Sequence, residues 1–250
     1  MKPFKHGAWP VLFFLLLDLF SFASSRSGMT WKELHLKSGQ SLWASSELVK
    51  KSNDRSVRYS VKNIFDGKSG TCWAEGVKGD GRGENITIVV NKDISAIGII
   101  NGNAKNVDIF KKNNRIKKLS GFLFIAFTAP GLVSETDSNL YFMKTSKTCT
   151  LELLDSPARQ YFEFPVTAEA QHRFREQAME DLILDHPFLF GQIEKELGVR
   201  KAMQGAERKQ YDNDFFAAYA IYGLVVEIVE VYPGSTYRDT CISEIEIEMI

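Results

Sequence analysis

Residues 63–90, NIFDGKSGTCWAEGVKGDGRGENITIVV, decide the fold class of this 250-residue chain. The first twenty-two residues contain six glycines and the turn dipeptides Asp66-Gly67 and Asp80-Gly81, which neither a helix nor a long strand tolerates. The β-branched run NITIVV follows directly, and SAIGIIN comes after a short turn. The stretch therefore predicts a long, shaped surface loop that leads into two strands.

Short β-type segments continue along most of the chain, at intervals of about ten residues. Turn signals such as Pro130-Gly131 and Ser156-Pro157 separate them. Short strands with regular turns favour a sandwich or a barrel over alternating βαβ units. The segments are LSGFLFIAFT (119–128), SNLYFMKT (138–145), CTLELLD (149–155), RQYFEFPV (159–166), AYAIYGLVVEIVEVYPGS (218–235) and the period-two run CISEIEIEMI (241–250).

One region departs from the strand pattern. Phe174, Ala178 and Leu182 recur every four residues in AEAQHRFREQAMEDLILDH (168–186), which is helical spacing, and Pro187 ends the run. A second, more charged helical stretch, QIEKELGVRKAMQGAERKQ, follows. We therefore predict a single β-sandwich domain over residues 26–250, with a helical insertion at about 167–213.

The amino-acid composition and the net charge limit the class of protein and the kinds of partner it can bind. The chain is 44% apolar and 25% charged, enough apolar mass for one sizeable core, which excludes a disordered chain. Lysine plus arginine equals aspartate plus glutamate at 31 each, so no global field attracts a polyanion. We expect no nucleic-acid partner.

The N-terminus has the pattern of a signal peptide over residues 1–25. Lys2 and Lys5 precede the apolar run VLFFLLLDLFSFA, and Ala23 and Ser25 are spaced as a cleavage site requires. The run spans only about 20 Å as a helix and contains Asp18, so we expect no permanent membrane span. The mature protein is predicted to be secreted or periplasmic; the alternative is an uncleaved membrane tether.

Four ordered motifs carry a family resemblance: YSVKNIFDGKSGTCWAEGVKGDGRGENITIVV (59–90), IGIINGNAKN (97–106), NNRIKKL (113–119) and VYPGSTYRDTCISEIEIE (231–248). They resemble bacterial discoidin-like domains, relatives of the factor V/VIII type C and galactose-binding-like fold. They resemble in particular the type described as NAD-glycohydrolase translocation or NADase-type glycan-binding domains. The resemblance covers roughly residues 40–166 and 217–250, and it implies an all-β, galactose-binding-like jelly-roll β-sandwich whose end loops bind sugars or a cell surface.

The resemblance also implies a structural calcium site. Relatives wrap a calcium ion in an Asp-Gly-x-x-x-Thr-x-Trp loop closed by a glutamate from the last strand, and Asp66, Thr71 and Glu244 stand at the matching positions. Calcium takes six to eight oxygen ligands at irregular angles, which such a loop can present. The alternative is that Asp66 and Thr71 only cap turns.

The same alignment of motifs brings Cys72 and Cys241 close together. In an exported protein the two could form a disulfide, leaving Cys149 as a free thiol in a strand. The alternative is three reduced cysteines.

Candidate glycan-binding residues are Asn101, Asn103, Asn113, Arg115 and Trp43. Asparagine can hydrogen-bond sugar hydroxyls and tryptophan can stack on a pyranose, although asparagine also makes turns, and NxRxK resembles a structural signpost at a strand entry. Residues 105–118 contain six cations, which form either a docking patch for acidic groups or a solvated basic loop.

The sequence offers no catalytic motif. The histidines form no metal-binding pair, and no nucleophile has a partner at recognisable spacing. We predict an exported, non-catalytic module that binds glycans or a cell surface. The alternative is a protein-interaction or toxin-delivery module that docks an exported partner through the helical insertion, unless the apolar stripe of that insertion packs on the sandwich instead. A hydrolase is the third hypothesis.

Overall fold

The fold is described from a computed structural model of the chain. It describes residues 30–250 except 38, 50–57, 91, 130, 133–137, 198–214 and 217. The predicted signal peptide and the last part of the predicted insertion lie outside the described residues.

The described residues include eleven strands, the three α-helices given below, further helical residues at 215–216 and 218–219, and one short 3₁₀-helix, Val61–Phe65. The strands coincide with the β-branched and aromatic runs of the sequence. They are β1 Lys32–Leu36, β2 Leu42–Ala44, β3 Trp73–Ala74, β4 Asn85–Val90, β5 Ile94–Asn101, β6 Asn114–Phe127, β7 Asn139–Thr145, β8 Cys149–Glu152, β9 Gln160–Glu163, β10 Ala220–Tyr232 and β11 Thr240–Met249. The helices are α1 Val107–Lys112, α2 Ala168–Asp185 and α3 Pro187–Glu196.

The strands are hydrogen-bonded into one continuous sheet that forms the two layers of a sandwich. The first layer has the order β2-β4-β10-β6, and β6 is long enough to pair β8 with one half and β7 with the other, while β7 in turn pairs β1. The second layer contains β3, β11, β5 and β9. A two-residue parallel bridge between β6 and β11 joins the layers. The predicted all-β fold class is confirmed.

The main core lies between the two layers. Alternate residues of β6, such as Leu123 and Ile125, meet Ile97 of β5 and Ile245 of β11 in one buried cluster. The intervening residues of β6 point the other way, and there the Phe124 ring lies over Gly223, where a Cβ atom would collide with it. The first layer is therefore apolar on both faces.

The helical insertion packs on the sandwich. As the spacing predicts, α2 ends just before Pro187, which becomes the first residue of α3. Ala178, Met179 and Leu182 belong to the main core. The Gln171 side chain is fully buried; it bonds the main chain of Ile94 on β5 and accepts from the Tyr222 hydroxyl on β10. The apolar stripe of the insertion thus packs against the core of the sandwich.

Within the described part of the chain, no helix has the length and the apolar character needed to cross a membrane.

Candidate functional site

The loop after the 3₁₀-helix is organised around Asp66. Gly67 follows with φ +73°, a conformation that glycine adopts without strain. One carboxylate oxygen of Asp66 accepts from the Lys68 N–H at 2.9 Å, and the Thr71 hydroxyl lies 2.8 Å from the other. That hydroxyl is also 2.8 Å from the Lys68 carbonyl oxygen. The loop is therefore folded around a small group of oxygen atoms.

Glu244, from β11, closes this loop. Its carboxylate accepts a 2.6 Å hydrogen bond from the Lys68 N–H, the same group that donates to Asp66. Burial raises the pKa of Glu244, the Lys68 N–H opposes this, and the neighbouring Asp66 raises it further. Desolvation works against ionisation of Asp66, but the hydrogen bonds from Thr71 and Lys68 prevail and lower its pKa. Folding thus favours the ionised form of Asp66 and disfavours the ionised form of Glu244.

Asp66, Thr71 and Glu244 therefore lie together, as the resemblance implies. Two carboxylates, a hydroxyl and the Lys68 carbonyl give an all-oxygen donor set, which suits a hard cation such as calcium. Among the described residues, no three histidine, cysteine, aspartate or glutamate side chains gather where they could hold a metal ion. A cation here would rely on hydroxyl and carbonyl oxygens beside the two carboxylates, and calcium binding stays a prediction.

The two cysteines at this end of the sandwich are neighbours. Cys72 and Cys241 are both buried in one small cluster with Ala74, and both are free thiols in this structure. The hydrogen bond with Cys72, together with burial, raises the pKa of the Cys241 thiol well above its ordinary value. The disulfide stays a prediction. Cys149 is a half-buried thiol whose pKa is raised by burial.

Glu75 anchors the rest of the glycine-rich loop, and the sequence analysis did not single it out. It is fully buried, and its two carboxylate oxygens accept from the N–H groups of Thr240 at 3.1 Å and Val77 at 2.8 Å. Burial raises its pKa, and these two hydrogen bonds oppose the rise. The only signal in the sequence is a glutamate directly after the TCWA run and before Gly76, the third of the six glycines.

Two of the expected glycan-binding residues are structural. Asn101 is fully buried; its amide donates to the Ile116 carbonyl at 2.6 Å and accepts from the Ile116 N–H at 2.9 Å. Arg115 is buried and forms a two-pronged ion pair with Asp155, with N···O distances of 2.9 and 2.7 Å, and also donates to the carbonyls of Asn113 and Pro233. Asn101 is 0% exposed and Arg115 7%, so both side chains serve the fold, and their part in glycan binding stays a prediction.

The other three candidates differ in their surroundings: Asn113 adjoins Arg115 through its carbonyl, whereas Trp43 lies elsewhere, on β2. Asn113 ends α1 and donates to the Ile109 carbonyl at 2.9 Å, while Asn103 accepts a long 3.4 Å bond from the Lys105 N–H. Trp43 is on β2, where its ring meets the edge of Phe124 on the outer face of the first layer. The structure therefore does not bring the five candidates together into one site.

The basic stretch is largely neutralised by nearby carboxylates. Its cations pair with acids from α1, β8 and β10, which favours the solvated alternative over a docking patch. The pairs are Lys112 with Asp108, Lys117 with Glu230, and Lys118 with Glu152 and Glu230.

A groove of about 540 Å³ opens beside the Asp66 loop, where the edges of the two layers meet. Its walls combine apolar side chains from β2, β4 and β11 with an exposed aromatic ring and a charged pair. Phe65, which stands at the mouth, is 45% exposed. Lining residues include Leu42, Phe65, Ile88, Arg159, Glu246 and Ile247. The sequence analysis missed Phe65, Arg159 and Glu246, because only the folded sheet brings them together.

Comparison with known proteins finds a family match over part of the chain. Residues 36–125 match the family described as NAD glycohydrolase translocation F5/8 type C domain. No curated protein matches the chain at a significant level.

Two solved structures are similar over 83% of this chain, with 10% identity and a TM-score of 0.29. Both are of a GH29 fucosidase from Ruminococcus gnavus in complex with fucose, one of them a mutant. The similar region spans about a quarter of those chains, at 25% and 24%. From Leu36 to Ile125 this chain thus matches the NAD glycohydrolase translocation F5/8 type C domain family, and the discoidin-like resemblance of its motifs is confirmed.

Proposed function

We propose that this protein is an exported, non-catalytic module that binds glycans or a cell surface. The observation that carries the proposal is the 540 Å³ groove, which opens beside the Asp66 loop on a domain of the F5/8 type C family. Ligand sites combine apolar walls with a few well-placed polar groups, and this groove does so.

The groove suits a saccharide because its polar and apolar parts alternate. The C–H face of a sugar ring packs on apolar or aromatic surface, and its hydroxyls bond carboxylates and guanidinium groups. Phe65 and Leu42 supply the first kind of surface, while Arg159 and Glu246 supply the second. A shallow site of this kind binds single sugars weakly, so strong retention on a surface requires several contacts.

Calcium would have a structural part in this module. Asp66, Thr71 and Glu244 would hold it, and its charge would stabilise two adjacent carboxylates in their ionised forms. Because Glu244 also lines the groove, the order of the loop and the shape of the groove are connected.

Export follows from the N-terminal pattern. A charged n-region, an apolar h-region and a small-residue cleavage site over residues 1–25 are the features of a secretory signal peptide. They support a secreted or periplasmic location.

Glycoside hydrolysis fits the site less well than binding does. Glycoside hydrolases place their two catalytic carboxyl groups roughly 5 Å or more apart, on either side of the scissile bond. Asp66 and Glu244 instead accept from the same Lys68 N–H, which places their carboxyl groups side by side. The family name describes translocation, which also supports a non-catalytic module.

A protein-interaction or toxin-delivery module is the second candidate, and a separate observation supports it. Although the insertion buries one apolar face, it leaves Leu184 and Phe188 exposed near the junction of α2 and α3, with Phe188 at 78%. Exposed apolar side chains that lie close together are typical of partner contacts. A Leu184→Asp, Phe188→Asp double variant is expected to lose an envelope or toxin partner while keeping glycan affinity.

The proposed function is tested by screening purified residues 26–250 on a glycan array, followed by calorimetry with calcium or with a chelator. We expect binding in the micromolar to millimolar range for a subset of glycans, stronger in calcium. If folded protein binds no glycan at millimolar concentrations, the glycan-binding function is wrong.

A further inference from the structure

The solvent-facing side of the second layer carries an aromatic ring in an unusual position. Tyr161 on β9 and Glu246 on β11 are both directly opposite Gly98, on the strand between them. Gly98 has no side chain, and the Tyr161 ring leans over it, so that a Cβ atom there would lie 2.9 Å from the ring. The residue is still 59% exposed. One side of the ring therefore lies against the sheet while the rest of it is open to solvent.

Glu246 bonds this ring directly, and Arg159 in turn pairs with Glu246. The Tyr161 hydroxyl donates to a carboxylate oxygen of Glu246 at 3.1 Å, and Arg159 forms an ion pair with that same oxygen. Arg159 and Glu246 both stay partly exposed. A flat ring is thus fixed beside one acceptor and one donor that solvent still reaches, which is an arrangement prepared before any ligand arrives.

The charge around the ring limits what it can accept. The period-two pattern of β11 places Glu244, Glu246 and Glu248 on the same face, and Glu163 of β9 lies in the next row. Arg159 is the cation that balances Glu246. Ionised carboxylates only accept hydrogen bonds, so they favour ligands with hydroxyl or ammonium donors and repel carboxylate and sulfate groups.

We propose that Tyr161, Arg159 and Glu246 form a saccharide subsite, in which a neutral or amino-bearing pyranose stacks on the Tyr161 ring and donates hydrogen bonds to Glu246. The inference rests on the proposed glycan-binding function and names its place and ligand class. Arg159 and Glu246 also line the groove that begins at Phe65, so an oligosaccharide continues from the ring into the groove.

The test compares the affinities of neutral, amino-bearing and acidic oligosaccharides of matched length for the purified chain. We expect the first two classes to bind at least ten-fold more tightly than sialylated or sulfated ones. Tyr161→Ala should weaken binding at least ten-fold, and Glu246→Gln several-fold. Tyr161→Phe, which keeps the ring, should retain most of the affinity.

Tyr237 supplies the matched control, because it is 50% exposed in the loop between β10 and β11. Tyr237→Ala should bind as the unmodified protein does. The substituted tyrosines are both largely exposed, and unchanged melting temperatures will show that the variants fold.

Three results would overturn the subsite, each in a different way. If Tyr161→Ala binds normally while Phe65→Ala does not, the subsite is wrong and the glycan-binding function stands. If the folded protein binds no oligosaccharide at all, both fail together. If a lysine-rich peptide binds in a Tyr161-dependent way and saccharides do not, the ligand class is wrong, since a cation can also pack on this ring.

Discussion

Asn101 shows how a residue suited to sugar binding can instead belong to the frame of the protein. It satisfies both main-chain groups of Ile116, which lies fifteen positions along the chain. Asn101→Ala would leave a buried N–H and a buried C=O without partners, and we expect it to lower the free energy of unfolding by about 3 kcal/mol. Chemical denaturation measures this loss.

The neighbouring Asn103→Ala is the control and should change stability by no more than about 0.5 kcal/mol. Equal effects of the two substitutions would contradict the structural role of Asn101. The pair also shows that weaker glycan binding by an Asn101 variant would report unfolding and could not identify a site.

The pKa shifts of Asp66 and Glu244 predict how stability depends on pH. Since the pKa of Glu244 is raised in the folded state, its carboxyl favours folding while it is protonated, and that stability is lost as pH rises from about 4 through the raised value. Without calcium, Glu244→Gln should therefore raise the melting temperature at neutral pH and have little effect at pH 3. Calcium should stabilise the unmodified protein and not the variant.

Asp66→Asn should behave in the opposite way. The pKa of Asp66 is lowered by folding, so its stabilisation is present at neutral pH and disappears as pH falls through that lowered value. If both substitutions destabilise the protein at neutral pH without calcium, the electrostatic account of this pair is wrong.

At the scale of the element, α2 belongs to the main core. Leu182 is fully buried there, whereas Leu184 on the same helix is 64% exposed. Leu182→Ala should cost about 2–5 kcal/mol of unfolding free energy, because it removes packed methyl groups and leaves a cavity. Leu184→Ala should cost little, and thermal denaturation compares the two. Comparable losses at both positions would argue against this docking of the helix.

The strands and α2 could be predicted from the sequence, because the period of the apolar residues is a local property. The surroundings of single residues were less visible. β5 ends at Asn101, as the run SAIGIIN does, but the sequence did not show that this asparagine is fully buried. The extra turn α1 between two strands was not anticipated either.

Some residues of the candidate site could also be predicted from the sequence, and others could not. Asp66, Thr71 and Glu244 could be placed together because the family motif fixes their relation. Tyr161 and Glu246 are 85 positions apart and meet only through their common neighbour Gly98. No local sequence pattern predicts that Tyr161 and Glu246 lie close together, since the order of the strands in the second layer cannot be read from any single segment.

At the scale of the whole molecule, Cys72 and Cys241 connect the glycine-rich loop to the last strand. Oxidation would close a loop of roughly 170 residues and add a few kcal/mol of stability in the chain-entropy model. We expect peptide mapping of protein purified without reductant to recover a Cys72–Cys241 disulfide with Cys149 unpaired. Reductant should lower the melting temperature.

Two variants check that assignment. Cys72→Ser should remove the effect of reductant, and Cys149→Ser should preserve it. Recovery of a bridge that includes Cys149, or of three free thiols from the same preparation, would show that the predicted pairing is wrong.

The fully buried amide of Gln171 has a consequence for how the protein opens. It joins α2 to β5 through Ile94 and to β10 through Tyr222. Moving the helix away would therefore leave polar groups in both layers without their hydrogen bonds. We therefore expect partial opening of the insertion to be costly. In deuterium exchange, amides of α2 and of the adjoining strand ends should consequently become labelled on one common timescale, as a single cooperative unit.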